Sequence, residues 1–483
     1  MKFNRENVFL TFQDVLLKPC YSEILPNEAC IETKVTSKLK ISLPILSSAM
    51  DTVTESRMAI TMALHGGLGI IHKNMEPESQ AREIEKVKNT VNFYHQEEAF
   101  ISEASTVNSA LEKLNSLMLE SLFIVDSKRK PLGFVTQDTL QKYGHETRLL
   151  DVVYHKEFNS IAMNDNLENI LRLISKNKHL SFVSDKKGAF LGLFNHEEFL
   201  KHSIDKNSSL DLSKRLMVGA AIGTGPQALE RAHILHNAKV DVLVIDTAHG
   251  HSLRVIETLK ELKKEFPTTS IIVGNVATFE AAKSLIKNGA DAIKVGIGPG
   301  SICTTRSVSG VGVPQLDAIF DTAKACQKYN IPLIADGGIQ SSGDIVKALA
   351  AGASCVMLGS LLSGTYETPG EIIEIDGKKY KSYRGMGSRN AMKEGSKDRY
   401  NQGHIKDDKK LVPEGIEALN SYKGPVSSTL FQLKGGLKAG MGYLGAKTID
   451  HIKKNAEFIR ISPQAYRESQ THSITLEKKT EDG

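Results

Sequence analysis

From Leu43 onward the chain alternates short apolar runs with stretches of helical periodicity. The runs are Leu43–Ser48, Leu68–His72, Met217–Ile222, Val240–Asp246, Ser270–Asn275, Ala292–Gly296, Pro332–Asp336 and Cys355–Gly359. They are rich in Val, Ile and Leu and lack strict alternation, the pattern of strands buried on both faces. Between them, Pro226–Asn237, His251–Glu265, Phe279–Asn288 and Pro314–Tyr329 have the length and pattern of helices. Eight such units predict an α/β fold, a closed (β/α)8 barrel rather than an open doubly wound sheet.

Two interruptions break the rhythm. Residues 92–207 carry two related halves, STVNSALEKLNSLMLESLFIVDSKRKPLGFVTQDTL and NDNLENILRLISKNKHLSFVSDKKGAFLGLFNHEEFL. Each reads as a helix, a strand ending near Asp126 or Asp185, a turn, a strand beginning near Gly133 or Gly192, and a second helix. Such a repeat is a separate small domain set into a barrel loop. The barrel is then built from residues 1–91 and 208–483. After the eighth run, residues 364–424 are polar and glycine-spotted, with few residues able to anchor a core; a long loop there is expected to be a lid. A last helical pair, Thr429–Ala439 and Thr448–Asn455, precedes a polar tail.

Composition narrows the function. A net charge of +5 over 483 residues is small, and no long basic run occurs. The Lys-Lys pairs read as solvated faces, so no nucleic-acid partner is required. Five scattered cysteines argue against a disulfide framework and for a reducing, cytoplasmic location. No apolar run approaches the roughly 18 residues of a membrane span.

Barrel chemistry collects at the C-terminal ends of strands. Those ends carry Ser48-Ala49-Met50-Asp51, His72-Lys73, Asp246-Thr247-Ala248-His249-Gly250, Gly274-Asn275, Asp336-Gly337-Gly338 and Gly359-Ser360. Turns begin at strand ends, so Gly and Asp are common at any one of them; their accumulation at one rim argues for a site. The sixth end leads into KVGIGPGSICTTR, Lys294 to Arg306, which delivers Cys303 among Ser301, Thr304 and Thr305. A thiolate in this polar glycine loop could add to an electrophilic carbon. Carbonyls around Gly298 and Gly300 could hold a monovalent cation. Cys20, Cys326 and Cys355 read as inert buried thiols. Gly337-Gly338 and Gly359-Ser360 follow strands seven and eight, where barrels bind phosphate, and Asp336 is placed to accept from a ribose diol.

Taken together, LTFQDVLLKP, LSSAMDTVTE, GLGIIHKNM, VLVIDTAHGHS, IIVGNVAT, KVGIGPGSICTTR, GVGVPQL, IADGGIQSSGDIVKALAAGA, VMLGS, YRGMGS, GSKDRY, KLVPEGIE and GGLKAGMGYLGA resemble the inosine-5′-monophosphate dehydrogenase family, in its order and over the whole chain. The inserted repeats look like its pair of CBS motifs, a Bateman domain. The resemblance implies NAD-dependent oxidation of inosine 5′-monophosphate (IMP) to xanthosine 5′-monophosphate, a step toward guanine nucleotides. Cys303 would attack C2 of the purine, and the lid would bring Arg399-Tyr400 to activate the hydrolytic water. Arginine is an unusual base because its pKa lies far above neutrality. Thr305 and Glu414 match a second proton relay.

The same resemblance assigns Ser48, Met50, Ser301 and Asp336 to the nucleotide, and Gly337, Gly338, Gly359, Ser360 and Tyr383 to the surroundings of its phosphate. Gly385, Met386, Gly387 and Glu414 would face the base. Asp246, with Asn275, Gly296 and Gly298, would meet NAD. A potassium ion would use Gly298, Gly300 and Cys303, with Glu468, Ser469 and Gln470 of a neighbouring subunit, which implies a homotetramer or an octamer. Purine nucleotides are expected at the CBS pair. Asn401, Ala418-Leu419, Leu444 and Gln470 depart from the family pattern. Two other readings stay open: the related guanosine-5′-monophosphate reductase, which shares barrel and cysteine loop, and an inactive nucleotide-sensing barrel.

Overall fold

The computed structural model describes residues 8–470 except 90–93, 96–97, 118, 153, 163–164, 166, 177–179, 195–206 and 214. It divides into two compact units: the chain up to Ala81 with Val218 onward, and Arg82–Met217.

All eight apolar runs are strands of the first unit. They are β1 (Ile45–Ser47), β2 (Leu68–Ile71), β3 (Val218–Ile222), β4 (Val242–Asp246), β5 (Ser270–Val276), β6 (Ala292–Val295), β7 (Leu333–Asp336) and β8 (Cys355–Leu358). They pair in parallel, each with the next, and β8 pairs with β1 to close the barrel. Nearly every strand residue is buried, because the barrel interior covers one face and the helices the other. Helices Pro226–Asn237, Leu253–Glu265, Phe279–Lys287 and Gln315–Tyr329 follow β3 to β6 and bury apolar stripes such as Val255, Leu259 and Leu262.

Residues 364–424 are more ordered than their polarity suggests. β9 (Ile373–Ile375), β10 (Lys378–Arg384) and β11 (Glu417–Ser421) form an antiparallel sheet. Its inward face carries a lysine. Lys381 is buried and donates to the carbonyl of Tyr366 at 3.3 Å, and burial lowers its pKa. Tyr383, two residues on, faces the same way. The last long helix is Val426–Tyr443, longer at both ends than expected. Its glycines permit close approach. A Cβ on Gly440 would lie 2.7 Å from Val346 Cγ2 of the helix Ser342–Ala350. Thr448 caps the following helix, Ile449–Asn455.

The second unit repeats one motif. Strands Phe100–Ser102, Ser121–Val125 and Pro131–Thr136 form one sheet, and Asn159–Ala162, Ser181–Ser184 and Phe190–Phe194 repeat its parallel-then-antiparallel pairing. The turns match in detail. Asp126 Oδ1 accepts from the N–H groups of Lys128 and Lys130, both at 2.8 Å; Asp185 Oδ1 accepts from those of Lys187 and Ala189 at 2.7 and 2.8 Å. The left-handed position of each turn falls at Arg129 and Gly188. Phe123, Phe182 and Phe190 join the halves in one core, with ring centroids 5.3 Å apart for Phe123 against either partner. The second helix expected in the later half lies outside the described residues.

Candidate active site

The barrel rim brings most of the expected residues to one cavity. Ser48 and Met50 after β1, Asp246 ending β4, Asn275 in β5, Gly296, Gly298, Gly300, Cys303 and Thr305 after β6, and Asp336 and Gly337 at β7 all line it. From residues 364–424 come Tyr383, Gly385, Met386, Arg399, Tyr400 and Glu414. The remaining residues expected at the nucleotide stand just behind. A Cβ on Gly359 would lie 3.1 Å from the Tyr383 hydroxyl and 3.2 Å from Met50 Sδ. Ser301 hydrogen-bonds Tyr383. Gly337 and Gly338 have φ of 88° and 79°, a left-handed pair that glycine supplies without strain and that turns the chain back over Pro299. Ser360 uses its carbonyl to accept from Lys423 at 3.0 Å. A Cβ on Gly387 would meet the Tyr400 ring at 2.8 Å.

Cys303 is half-buried, and its thiol donates to Thr305 Oγ1 at 3.1 Å. The loop is held by two backbone bonds around an isolated antiparallel bridge between Cys303 and Gly415: Thr304 N–H donates to the carbonyl of Glu414 at 2.9 Å, and Ile416 N–H to that of Ile302 at 3.0 Å. Arg306 lies near the thiol; burial lowers its pKa, and the proximity of Cys303 opposes this. The other cysteines contrast. Burial pushes Cys326 and Cys355 up to about 12, which leaves them protonated and inert. Cys20 departs from the expectation of a buried thiol. It is half-exposed, because the N-terminal segment that carries it runs over the surface beside the carbonyl of Asn455.

Below the loop sits a group that strand pattern alone concealed. Lys294 is almost fully buried, its side chain 2% exposed. Its Nζ donates to Asp246 Oδ1 at 2.9 Å and Asp336 Oδ2 at 2.7 Å, and also to Asn275 Oδ1. Asn275 Nδ2 in turn donates to Asp336 Oδ2 at 3.0 Å and the carbonyl of Gly296 at 2.8 Å. A buried ammonium with three oxygen partners is compensated, whereas either carboxylate alone would be costly. The signal was present in the sequence: a lysine inside an apolar run, with Asn275 ending the run before it, Asp336 the run after it and Asp246 the run before Asn275's.

The segment Ser396–Tyr400 folds down onto this rim as a flap. Arg399 forms an ion pair with Asp246, and its carbonyl accepts from Ala248 N–H at 3.1 Å. Arg399 Nε is buried with no hydrogen-bond partner among the described residues. Burial raises the pKa of Tyr400; the charge of Arg399 and a hydrogen bond to it oppose, while Cys303 and Glu414 add to the rise. These effects place Arg399, Tyr400, Glu414 and Cys303 around one volume. Asn401, one of the departures from the family pattern, has φ of 57° and ends the turn; asparagine tolerates that conformation better than most residues.

Glu468, Ser469 and Gln470 are not brought to the loop of their own chain. Helix Pro463–Glu468 packs by the turn Phe12–Asp14. Gly298 and Gly300 stand beside Cys303, but the Gly300 carbonyl accepts from Cys303 N–H at 3.1 Å, which leaves it one lone pair. Among the described residues no group of three or more His, Cys, Asp or Glu could hold a metal ion, and no helix is long and apolar enough to cross a membrane.

A parallel barrel whose rim gathers a thiol, linked aspartates and a flap-borne Arg-Tyr pair is that of a barrel enzyme. The family profile "IMP dehydrogenase / GMP reductase domain" matches residues 9–472. Inosine-5′-monophosphate dehydrogenase of Aquifex aeolicus is 47% identical, over 97% of this chain and 96% of that protein. The Bacillus subtilis protein of that name is 45% identical, over 99% and 98%. Among solved structures, a cysteine-to-alanine variant of GMP reductase from Trypanosoma brucei in complex with guanosine 5′-monophosphate superposes with a TM-score of 0.78 at 37% identity, over 98% of this chain and 99% of that one. The chain belongs to the IMP dehydrogenase / GMP reductase family.

Proposed function

We propose that the chain oxidises IMP to xanthosine 5′-monophosphate with NAD, in two half-reactions that share one cavity. The observation that carries this is the flap: Arg399 and Tyr400 line the cavity that holds Cys303. A site that only releases ammonia from a purine has no need of a flap-borne pair to activate water. The long relatives named inosine-5′-monophosphate dehydrogenase support the same choice.

In this reading the Cys303 sulfur bonds to C2 of the hypoxanthine, which makes that carbon tetrahedral and able to release hydride. NAD, when bound, accepts that hydride. Asp336 receives the nucleotide ribose, and the backbone of Gly337, Gly338, Gly359 and Ser360 receives its phosphate. Asp246 suits the cofactor ribose, since a carboxylate accepts from a diol. Its Oδ1 accepts from Lys294 and its Oδ2 pairs with Arg399, so in this reading the flap competes with a ribose for the carboxylate and lifts to admit it. Once it has settled again, Arg399 and Tyr400 draw a proton from water, and the sulfur leaves as xanthosine monophosphate forms. Thr305, bonded to the Cys303 thiol, and Glu414 provide the second proton path. Carbonyls of Gly298, Gly300 and Cys303 fit a potassium ion as neutral oxygen donors. Completion of that ion's shell by Glu468, Ser469 and Gln470 of a neighbouring subunit makes the enzyme a homotetramer or octamer. Five free cysteines suit the cytoplasm.

The test is absorbance of NADH on mixing protein, IMP, NAD and potassium. A steady rise that needs both substrates is expected. Consumption of NADPH with guanosine monophosphate and release of ammonia would instead support the reductase, the identity of the solved relatives.

Residues 92–207 act, in this proposal, as a CBS pair that binds adenine or guanine nucleotides and regulates the barrel. Thr136 and Asp138, the pair suited to a ribose, stand at the start of the short helix Gln137–Leu140, where Thr136 is the cap. Replacing residues 92–207 by a short linker is expected to leave turnover within about threefold of the intact enzyme, because the unit has its own core. It should also abolish any response to added ATP or GTP. A folded but inactive deletion variant would contradict this.

A further inference from the structure

Lys73 follows β2 on the rim, and the reaction as proposed gives it no role. Its side chain is 9% exposed, and Nζ lies 2.5 Å from Asp398 Oδ1. Asp398 immediately precedes Arg399 and accepts from its N–H at 2.8 Å. The lysine is held on the barrel side by a rigid turn. His72 Nδ1 accepts from Asn74 N–H at 3.1 Å, and its Nε2 donates to Glu55 at 3.3 Å. Nearby, Arg231 is fixed by Gln80 and the carbonyl of Met75, and it adds a second positive charge facing Asp398.

The opposite wall is shaped for the same carboxylate. A Cβ on Gly223, after β3, would lie 2.5 Å from Asp398 Oδ2 and 3.8 Å from Lys73 Cε. Gly223 has no positive φ, so its lack of a side chain answers to space and not to backbone conformation. Burial lowers the Lys73 pKa, and Asp398 offsets part of that fall. An ammonium left in this place without Asp398 would be poorly solvated.

We propose that Lys73 is a positioning residue that latches the flap through Asp398 into the notch at Gly223, and so sets how often Arg399 stands over the cavity. This rests on the two-step reading above. The latch serves water activation alone, because the first half-reaction needs the flap lifted from Asp246. Weakening it slows hydrolysis and spares hydride release.

The test is rapid mixing of the full-length enzyme with IMP, NAD and potassium, reading the first-turnover burst of NADH and the steady rate separately. Lys73→Met is expected to keep the burst rate within about twofold and to lower the steady rate by about ten- to a hundredfold, the scale of one charge-assisted buried bond. Asp398→Asn should do the same, and the double variant should be no slower than the worse single. Gly223→Ala, which leaves both charges in place, should reproduce the slow steady rate because its methyl fills the notch and meets Asp398 when the flap comes down. Retained IMP binding in each variant confirms its fold. Equal loss of burst and steady rate, additive losses in the double variant, or a Gly223→Ala enzyme as fast as the parent would each overturn the latch. A parent enzyme that produces no NADH overturns the two-step reading, and the latch with it.

Discussion

Replacing Cys303 with alanine is expected to abolish NADH formation while leaving IMP binding intact. The sulfur is the one thiol among the described residues that line the cavity, and it sits on a constrained loop, between the Gly300 turn and the backbone bonds to Glu414 and Ile416. Without it, C2 of the purine stays planar and has no route to release hydride, so turnover should fall by at least about a thousandfold. Binding should persist because the residues proposed for the ribose and phosphate, Asp336, the Gly337-Gly338 turn and Tyr383, do not depend on the thiol. Calorimetric titration with IMP separates the two effects. Measurable burst formation in Cys303→Ala would remove the residue from its role. A variant that neither binds nor turns over would show that the loop, and not the sulfur, had been lost.

The barrel was legible because its physics is written locally. Each buried strand is a run of Val, Ile and Leu, and each run ends where polar residues must face the rim; β3 and β4 fall within two residues of their runs. What escaped was set by partners distant in sequence. Residues 364–424 looked structureless because β10 buries a lysine, whose ammonium is satisfied by the carbonyls of Tyr366 and Thr368. The helix Val426–Tyr443 runs past Ala439 through Gly440, whose lack of a side chain answers to Val346 on the helix packed against it.

The site divides in the same way. Cys303, Asp336 and the glycine turns announce themselves by residue type at strand ends. Lys294 and Lys73 do not, since a lone lysine is ordinarily a solvated charge. Their meaning appears when β4, β6 and β7 bring Asp246 and Asp336 to one ammonium, and when the flap sets Asp398 against the other. Leu444, where the family pattern has cysteine, is buried at the end of its helix and acts as core.

Arg399→Ala is the variant that divides the reaction in time. Arg399 is tied to three things at once: Asp246 by charge, Ala248 through its carbonyl, and Tyr400 by a side-chain hydrogen bond. None of these contacts touches the sulfur or the nucleotide turns. The first half-reaction should therefore proceed at close to its normal rate, with a burst of about one NADH per active site. Hydrolysis should then fall by about a hundred- to ten-thousandfold, the usual contribution of a positioned proton acceptor. Thr305 and Glu414 would carry what rate remains, so adding Glu414→Gln should lower it further. Because the purine stays on sulfur, denaturation during the steady state should yield protein heavier by one nucleotide, detectable by mass spectrometry. Removing Arg399 also frees Asp246 Oδ2, so NAD should bind more tightly to this variant. A lost burst would mean that Arg399 serves the first step, and an unchanged steady rate would mean that water is activated elsewhere on the rim.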